Sequence, residues 1–419
     1  MSRDITGLPV AIIGAGPIGL SAAVNLLEAG FEPILFESGA HAGANLASWG
    51  HVRMFSPWSW NIDALAAELL QEQGWRAPDA AAYPTGAEFL DRYVAPLAAH
   101  PSISSRLHVD SRVTHVSRQQ HDVLRSGGRD EAPFVLRVEG PDGPRDVLAR
   151  AVIDASGTYQ TPNWIGAHGI PAIGEQAAAE VIAYGVPDIR GTQAAEYAGK
   201  SVLVIGSGHS ALNALQDLIA LADHEEGMRI VWGVRCANID EVIRPAPNDE
   251  LEERKALELR IKALLEEGRI EVVTGLAVEA IDHQAGRWVV QSGEHRLPAV
   301  DRIIAATGFR PSLELLSELR VSLDPATQSP IKLAPLIDPN QHSCGSVPDH
   351  GAAELLHAEP GLFILGIKSY GRAPTFLMRT GYQQVRSVVA SLADPESIQP
   401  APGCEATATR NACSASVCG

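Results

Sequence analysis

The chain has 419 residues, of which 45% are hydrophobic and 20% charged, and its 50 acidic residues outnumber 33 basic ones to give a formal net charge of −17. That length suits two or three domains with large cores. The acidic balance excludes a nucleic-acid binder and an anionic-membrane binder, either of which needs a basic face, and no apolar stretch reaches the roughly 18–20 uncharged residues of a membrane span. The apolar N-terminus reads as a strand–loop–helix of the fold rather than as a leader, and a cytoplasmic protein is expected.

VAIIG at 10–14 reads as a buried parallel strand, LSAAVNLLEAG at 20–30 as a helix stopped by Gly30, and EPILFE at 32–37 as a second strand ending in Glu37. Residues 45–100 hold an aromatic loop and two helical segments, NIDALAAELLQEQG and GAEFLDRYVAPLAAH. Residues 106–117 and 133–139 alternate like strands, with QQHDVLRSGGRDEA between them as a hairpin loop. AVIDASG at 151–157 is a strand running into a tight turn. Residues 166–197 lie in a Gly-, Pro- and Ala-rich stretch that reads as a linker.

A second unit begins near residue 198. It reads as strand 201–205, helix 209–222, strand 229–235, charged helix 249–267, strand 270–273, a hairpin over 287–298, and strand and turn 301–309. GLFILG at 361–366 is a last buried strand and TGYQQVRSVVASLA at 380–393 a last helix. The tail from 394 lacks apolar periodicity and is expected to be disordered. The fold class is α/β with two nested Rossmann-like dinucleotide-binding domains. The first is discontinuous, over 1–165 and 305–393, and the second is inserted, over 198–304.

Two glycine-rich loops sit 192 positions apart: GAGPIG with Gly14, Ala15, Gly16, Pro17, Ile18 and Gly19, and GSGHSA with Gly206, Ser207, Gly208, His209 and Ser210. Each follows an apolar run and opens an apolar-periodic segment. In such loops the first glycine permits the tight turn, the second lets the backbone approach a pyrophosphate, and the third allows close helix–strand packing. The helix N-terminus then offers N–H groups and partial positive charge to the phosphates. Glu37 lies 23 residues after Gly14, where an acid binds a ribose hydroxyl, with Ser38 beside it. Two nucleotides in one chain imply electron transfer between them.

GAGPIG with Glu37, the ending VIDASGTYQTPN, GSGHSA and IIAATGFRPS occur in the order found in flavin-dependent monooxygenases with two dinucleotide-binding domains, which include the flavin-containing monooxygenases and the Baeyer–Villiger enzymes. The chain resembles that family over residues 8–392. The resemblance implies FAD in the first domain and NADPH in the second, with a flavin hydroperoxide, formed from O2, passing one oxygen atom to a small substrate. It also implies cofactor contacts from Val113, from the turns Ala155–Ser156–Gly157 and Thr307–Gly308, and from Gly366. The chain departs from the family in two respects. No Phe-x-Gly-x-x-x-His motif precedes the second loop, and the usual Gly-Asp after the last strand is replaced by Gly366–Ile367–Lys368.

SWGHVRMFSPWSWN at 48–61 packs Trp49, Trp58 and Trp60 into twelve positions, three of the seven tryptophans in the chain. Such flat apolar groups exclude water, and the family runs this segment under the flavin. Arg53 offers a positive charge toward the flavin or its pyrophosphate. Core packing and a solvated arginine is the competing reading, and His51 is the weakest candidate of the segment. Arg235 ends the second strand of the inserted domain, where an arginine suits the 2′-phosphate of NADPH. In KSYGRAP, Lys368 and Tyr370 follow the last strand and are candidate catalytic groups. The tail cysteines Cys404, Cys413 and Cys418 are candidate soft-metal ligands, similar to the cysteine-bearing ends of flavin monooxygenase-like proteins from arsenic-resistance operons. There is no C-x-x-C, so a thioredoxin-reductase-like dithiol is not expected.

The expected function is an FAD-dependent, NADPH-using monooxygenase acting on sulfur, nitrogen or arsenic, as a monomer or homodimer. An FAD–NAD(P)H reductase serving a quinone, a metal(loid) or a protein partner is the alternative. A metal-sensing module with a structural flavin is a third reading, against which the two intact nucleotide loops argue.

Overall fold

The apolar run Val10–Ile13 forms strand β1, with all four residues buried, as a strand covered on both faces requires. The computed structural model describes residues 5–243, 251–341, 348–374, 376–394 and 396. The chain divides into two units, one running to Gln160 and resuming at Arg310, the other spanning Thr161–Phe309.

In the first unit β1 lies centrally in a parallel sheet of order β16–β7–β1–β2–β3. The other strands are β2 (Pro33–Phe36), β3 (Leu107–His108), β7 (Ala151–Asp154) and β16 (Leu362–Ile364). Helix α1 (Pro17–Glu28) is buried from Pro17 to Leu26. It packs against α2 (Ala64–Gln71) and the last helix of the unit (Met378–Ala393). Its polar residues are absorbed by Asp63, which accepts from Ser21 Oγ at 2.8 Å, Asn25 Nδ2 at 3.1 Å and Arg386 at 2.9 Å.

Strands β4 (Arg112–Arg118), β5 (Phe134–Gly140) and β6 (Gly143–Ala149) form an antiparallel meander. The sequence signals the first two. β6 carries little apolar alternation and is held by its hairpin with β5. The expected hairpin loop between β4 and β5 is tied down by a buried ion cluster. Glu359 accepts from Arg118 at 2.7 Å and from Arg129 at 2.8 Å, with all three side chains sealed from solvent. Further guanidinium N–H groups donate to the carbonyls of Ala132, Pro360, Asp122 and Glu318. Burial raises the Glu359 carboxyl, but hydrogen bonds from Arg129, the Arg320 N–H and Arg118 outweigh it and leave the group below its ordinary range. Burying three charges is tolerable only with such complete pairing.

The second unit has a parallel sheet of order β11–β10–β9–β15–β8. Its strands are β8 (Ile182–Tyr184), β9 (Ser201–Ile205), β10 (Arg229–Gly233), β11 (Glu271–Val273) and β15 (Arg302–Ala305). Helices α3 (His209–Ala222) and α4 (Glu252–Glu266) pack against one another, and β12 (Ala280–Gln284), β13 (Arg287–Ser292) and β14 (His295–Arg296) form a separate antiparallel sheet. We label Met378–Ala393 α5.

Two boundaries differ from expectation. Residues 166–197 are part of this unit rather than a linker: β8 adds an edge strand beside β15, and Ala172, Ala178 and Ile182 join the core. One residue organises the segment. The buried carboxylate of Glu175 accepts from the N–H groups of Ile165 (2.8 Å), Gly166 (3.3 Å) and Ala172 (2.7 Å) and from Tyr184 Oη (2.6 Å). Likewise β15 pairs with β9 and β8, so the first unit resumes at Arg310, not at 305. Among the described residues, no helix is long and apolar enough to cross a membrane.

His357 gives the first unit an acid sensitivity. Its Nδ1 accepts the Ser322 N–H at 3.1 Å, and burial lowers its pKa from 6.5 to about 4. The unfolded chain therefore binds a proton that the folded chain refuses. Stability present above pH 6.5 is lost as pH falls toward 4, by about 3 kcal/mol at full effect. His357→Asn keeps an acceptor but cannot titrate in this window. Its melting temperature should fall less between pH 7 and pH 4.5 than that of the wild type, measured by thermal denaturation in matched buffers.

Candidate functional site

The first glycine loop leaves β1 with Gly14 at φ +94°. A Cβ there would lie 2.8 Å from both Ala155 O and Ser156 Cα, and one on Gly19 would lie 1.9 Å from Gly14 O. These two glycines are demanded by backbone packing. Gly16 is different: a Cβ there meets nothing within 4 Å. It stands at the N-cap of α1, with no side-chain cap and Pro17 in the first turn. The space above Gly16 is thus a cradle that a side chain would fill, facing uncapped helix N–H groups, and this fits a pyrophosphate.

Glu37 is 9% exposed at the end of β2. Its Oε2 accepts the Ala15 N–H at 2.9 Å, and its Oε1 accepts the Gly39 N–H at 2.8 Å and Ser38 Oγ at 3.5 Å. The expected ribose ligand is therefore also a brace for the loop itself. Val113 is buried in the core between the meander and the sheet.

Behind the loop lies the turn 154–157. The Ala155 N–H donates to Ile13 O at 2.9 Å, and Gly157 has φ +74°. Asp154 Oδ1 accepts Ser156 N–H (3.1 Å) and Oγ (2.7 Å). Lys368 Nζ donates to Asp154 Oδ2 at 2.7 Å and to Ser156 Oγ at 2.9 Å, with Lys368 1% and Asp154 0% exposed. Gly366, at φ +70°, sits against Ile18 and donates its N–H to Gln384 Oε1 at 2.9 Å. Tyr370 is fully buried against Phe376 and His350. Burial pushes its phenol up and the His350 imidazole down. Tyr370, the candidate catalytic phenol of the KSYGRAP segment, is thus packed within the core cluster of the first unit.

The aromatic segment divides the same way. Its residues 50–54 are laced to 83–87 through Met54 N–H to Pro84 O (2.8 Å), Gly86 N–H to Val52 O (2.9 Å) and Ala87 N–H to Gly50 O (2.8 Å). Trp49 packs on Gly86, where a Cβ would fall 2.7 Å from its ring. Arg53 is exposed and donates to the Tyr83 carbonyl. Trp58 is buried against Phe89, and Trp60 lies under the Arg379 guanidinium at 3.8 Å. Trp58 is therefore core. His51 Nε2 is buried without a hydrogen-bond partner.

The second loop repeats the geometry of the first. Gly206 has φ +136° and a Cβ there would lie 2.2 Å from Ala306 O, whereas Gly208 meets nothing within 4 Å. Gly208 is the N-cap of α3, again without a side-chain cap, so Ser210 does not cap the helix. The third small position is Ala211, fully buried. His209 Nε2 meets Glu258 Oε1 of α4 at 2.9 Å, and Glu258 Oε2 is buried with no hydrogen-bond partner among the described residues. Only the three-dimensional neighbourhood of α3 and α4 reveals that pair. Arg235 is exposed just beyond β10, followed by the buried, disulfide-bonded Cys236. Thr307 and Gly308 belong to this unit. Thr307 Oγ1 donates to Asn163 O at 2.6 Å, and Asn163 Nδ2 donates to Thr307 O at 3.1 Å.

Cys404, Cys413 and Cys418 lie outside the described residues, as does Cys344. Among the described residues no cluster of three His, Cys, Asp or Glu side chains could hold a metal.

The family model described as pyridine nucleotide-disulphide oxidoreductase matches residues 11–332. The bacilliredoxin reductase Bdr of Bacillus subtilis is 24% identical over 321 residues, covering 76% of this chain and 82% of that protein. Among solved structures, the bacillithiol disulfide reductase Bdr of Bacillus cereus aligns with a TM-score of 0.69 at 19% identity, covering 93% of this chain and 99% of that one. The flavin-containing monooxygenase of Stenotrophomonas maltophilia aligns with a TM-score of 0.56 at 21% identity, covering 92% and 98%. Both share the two-domain α/β fold.

The glycine geometry separates binding from folding. Gly16→Val should fold with near-native thermal stability and lose bound flavin, because its side chain enters only the cradle. Gly19→Ala should instead lose soluble protein or melt far lower, because its Cβ strikes the Gly14 carbonyl. Flavin absorbance per protein and thermal melts of both variants check this pair of outcomes.

Proposed function

The chain belongs to the pyridine nucleotide-disulphide oxidoreductase family, and from that premise we propose that this flavin-dependent NAD(P)H oxidoreductase is an NADPH-using monooxygenase. It places one atom of O2 on a small substrate with a soft heteroatom: sulfur, nitrogen or arsenic. NADPH supplies two electrons, the second oxygen atom leaves as water, and NADP+ is released.

One observation carries this reading over a dithiol relay. The whole sequence has no C-x-x-C, and the described disulfide cysteine, Cys236, belongs to the second unit. Electrons leaving a flavin for a disulfide through the protein need thiols beside it; a diffusible acceptor such as O2 needs none.

The residues divide the work. The loop from Gly14 to Gly19 and the N-terminus of α1 hold the FAD pyrophosphate, and Glu37 takes the adenosine ribose. FAD, when bound, supplies the two-electron relay between nicotinamide and oxygen. Gly206 to Ser210 and the N-terminus of α3 receive the NADPH pyrophosphate, and the exposed Arg235 takes its 2′-phosphate. Trp49, braced on Gly86, keeps water from the reacting face, and Arg53 lends positive charge to the same segment. A reductase passing electrons to a disulfide or quinone is the second reading, favoured by the Bdr relative.

Two measurements bear on this function. Arg235→Ala should erase most of a preference for NADPH over NADH in flavin reduction, a loss of about 1–3 kcal/mol for one charge-assisted phosphate contact; an unchanged preference moves the phosphate site elsewhere. Turnover under 18O2 with a thioether or arsenite probe should place one labelled oxygen in the product. Unlabelled product, or NADPH oxidation that continues without oxygen when a disulfide or quinone is supplied, favours the reductase instead.

A further inference from the structure

The Lys368–Asp154 pair calls for a reason. Burying an ammonium and a carboxylate costs several kcal/mol per ion, and an apolar pair of similar volume often serves stability as well or better. Its location supplies one. Asp154 ends β7, and the next two residues form the backbone surface against which Gly14 closes. Gly366 rests on Ile18 of α1, and Ile367 lies 3.8 Å from the position a Gly157 Cβ would take. Lys368 follows on the same turn. Its ammonium thus lies on the turn that follows β7, which also meets the first glycine loop, at the C-terminal edge where doubly wound sheets bind their cofactors.

The sign of the charge is also informative. The resemblance anticipates Gly-Asp here, whereas this chain has Gly366–Ile367–Lys368, so a base stands near the place of an acid. Two of the three ammonium protons are committed, to Asp154 and Ser156. The third has no hydrogen-bonded acceptor among the described residues, although the group is sealed from solvent.

We infer that Lys368 is a positioning residue whose fixed ammonium, trimmed by Asp154, sets how readily the bound flavin accepts electrons. The inference rests on FAD occupying the first unit. Hydride transfer from NADPH would bring two electrons and one proton to a bound flavin, giving NADP+ and one net negative charge on the flavin. In a low-dielectric site a nearby cation stabilises that charge and a nearby anion opposes it. Lys368 and Asp154 therefore act with opposite signs on one equilibrium.

The test is a spectroelectrochemical titration of the FAD-loaded full chain against a reference dye. Lys368→Met leaves Asp154 uncompensated and should lower the reduced-to-oxidised flavin ratio at fixed potential about tenfold, which is about 30 mV for a two-electron couple. Asp154→Asn should shift it the other way. The double variant Lys368→Met/Asp154→Asn should return to within about threefold of wild type, and Lys368→Arg should stay near it. A purely structural role would move both single variants in the same direction or neither, and either result overturns the inference. If Lys368→Met does not fold, Asp154→Asn and the double variant carry the same test. A wild-type protein without flavin overturns both this inference and the reading it rests on; a flavoprotein whose potential ignores these charges overturns only the inference.

Discussion

Both nucleotide loops depend on one steric constraint, the close approach of a glycine to the turn after a neighbouring parallel strand. Gly14 closes on Ala155 and Ser156, and Gly206 closes on Ala306. Each turn then ends in a glycine of positive φ, Gly157 or Gly308. The Ala-Ser-Gly and Ala-Thr-Gly triplets are thus the other half of the glycine loops, since a small residue and a reversing glycine let the neighbouring strand end directly under the loop. With this contact in place, Gly16 and Gly208 face open space at helix ends that lack a side-chain cap.

Buried carboxylates set the rest of the irregular structure. Glu37 holds the first loop, Glu175 gathers three N–H groups of an otherwise featureless stretch, Glu359 pins a surface loop through two arginines, and Asp63 ties α1 to α5. Each replaces a missing regular hydrogen-bond ladder with point contacts. Acceptors with several lone pairs suit that task because every buried N–H must find a partner.

These two kinds of determinant explain what the sequence disclosed. The central strands and their helices were legible, since apolar runs and glycine spacing are local signals. Helix 209–222 was read at its observed limits. The role of 166–197 was not legible, because Glu175 gathers its contacts across a stretch, IGAHGIPAIG, that carries no periodicity. β6 and β12 were missed because weakly alternating strands take their register from a partner. In the candidate site, the spacing of Glu37 and the glycines marked the residues that the first loop brings together. The Lys368–Asp154 pair spans 214 positions and the His209–Glu258 pair 49, separations at which nothing local marks a partner.

The edges of the second unit carry a further meaning. Pro162 pairs antiparallel with Phe309, and the Asn163 N–H donates to Gly308 O at 2.9 Å. The polypeptide therefore enters and leaves this unit side by side, through a single doorway two strands wide. In evolutionary terms the nucleotide module is a cassette. It could be acquired, exchanged for one of different cofactor preference, or altered wholesale, without re-routing the backbone of the unit that hosts it.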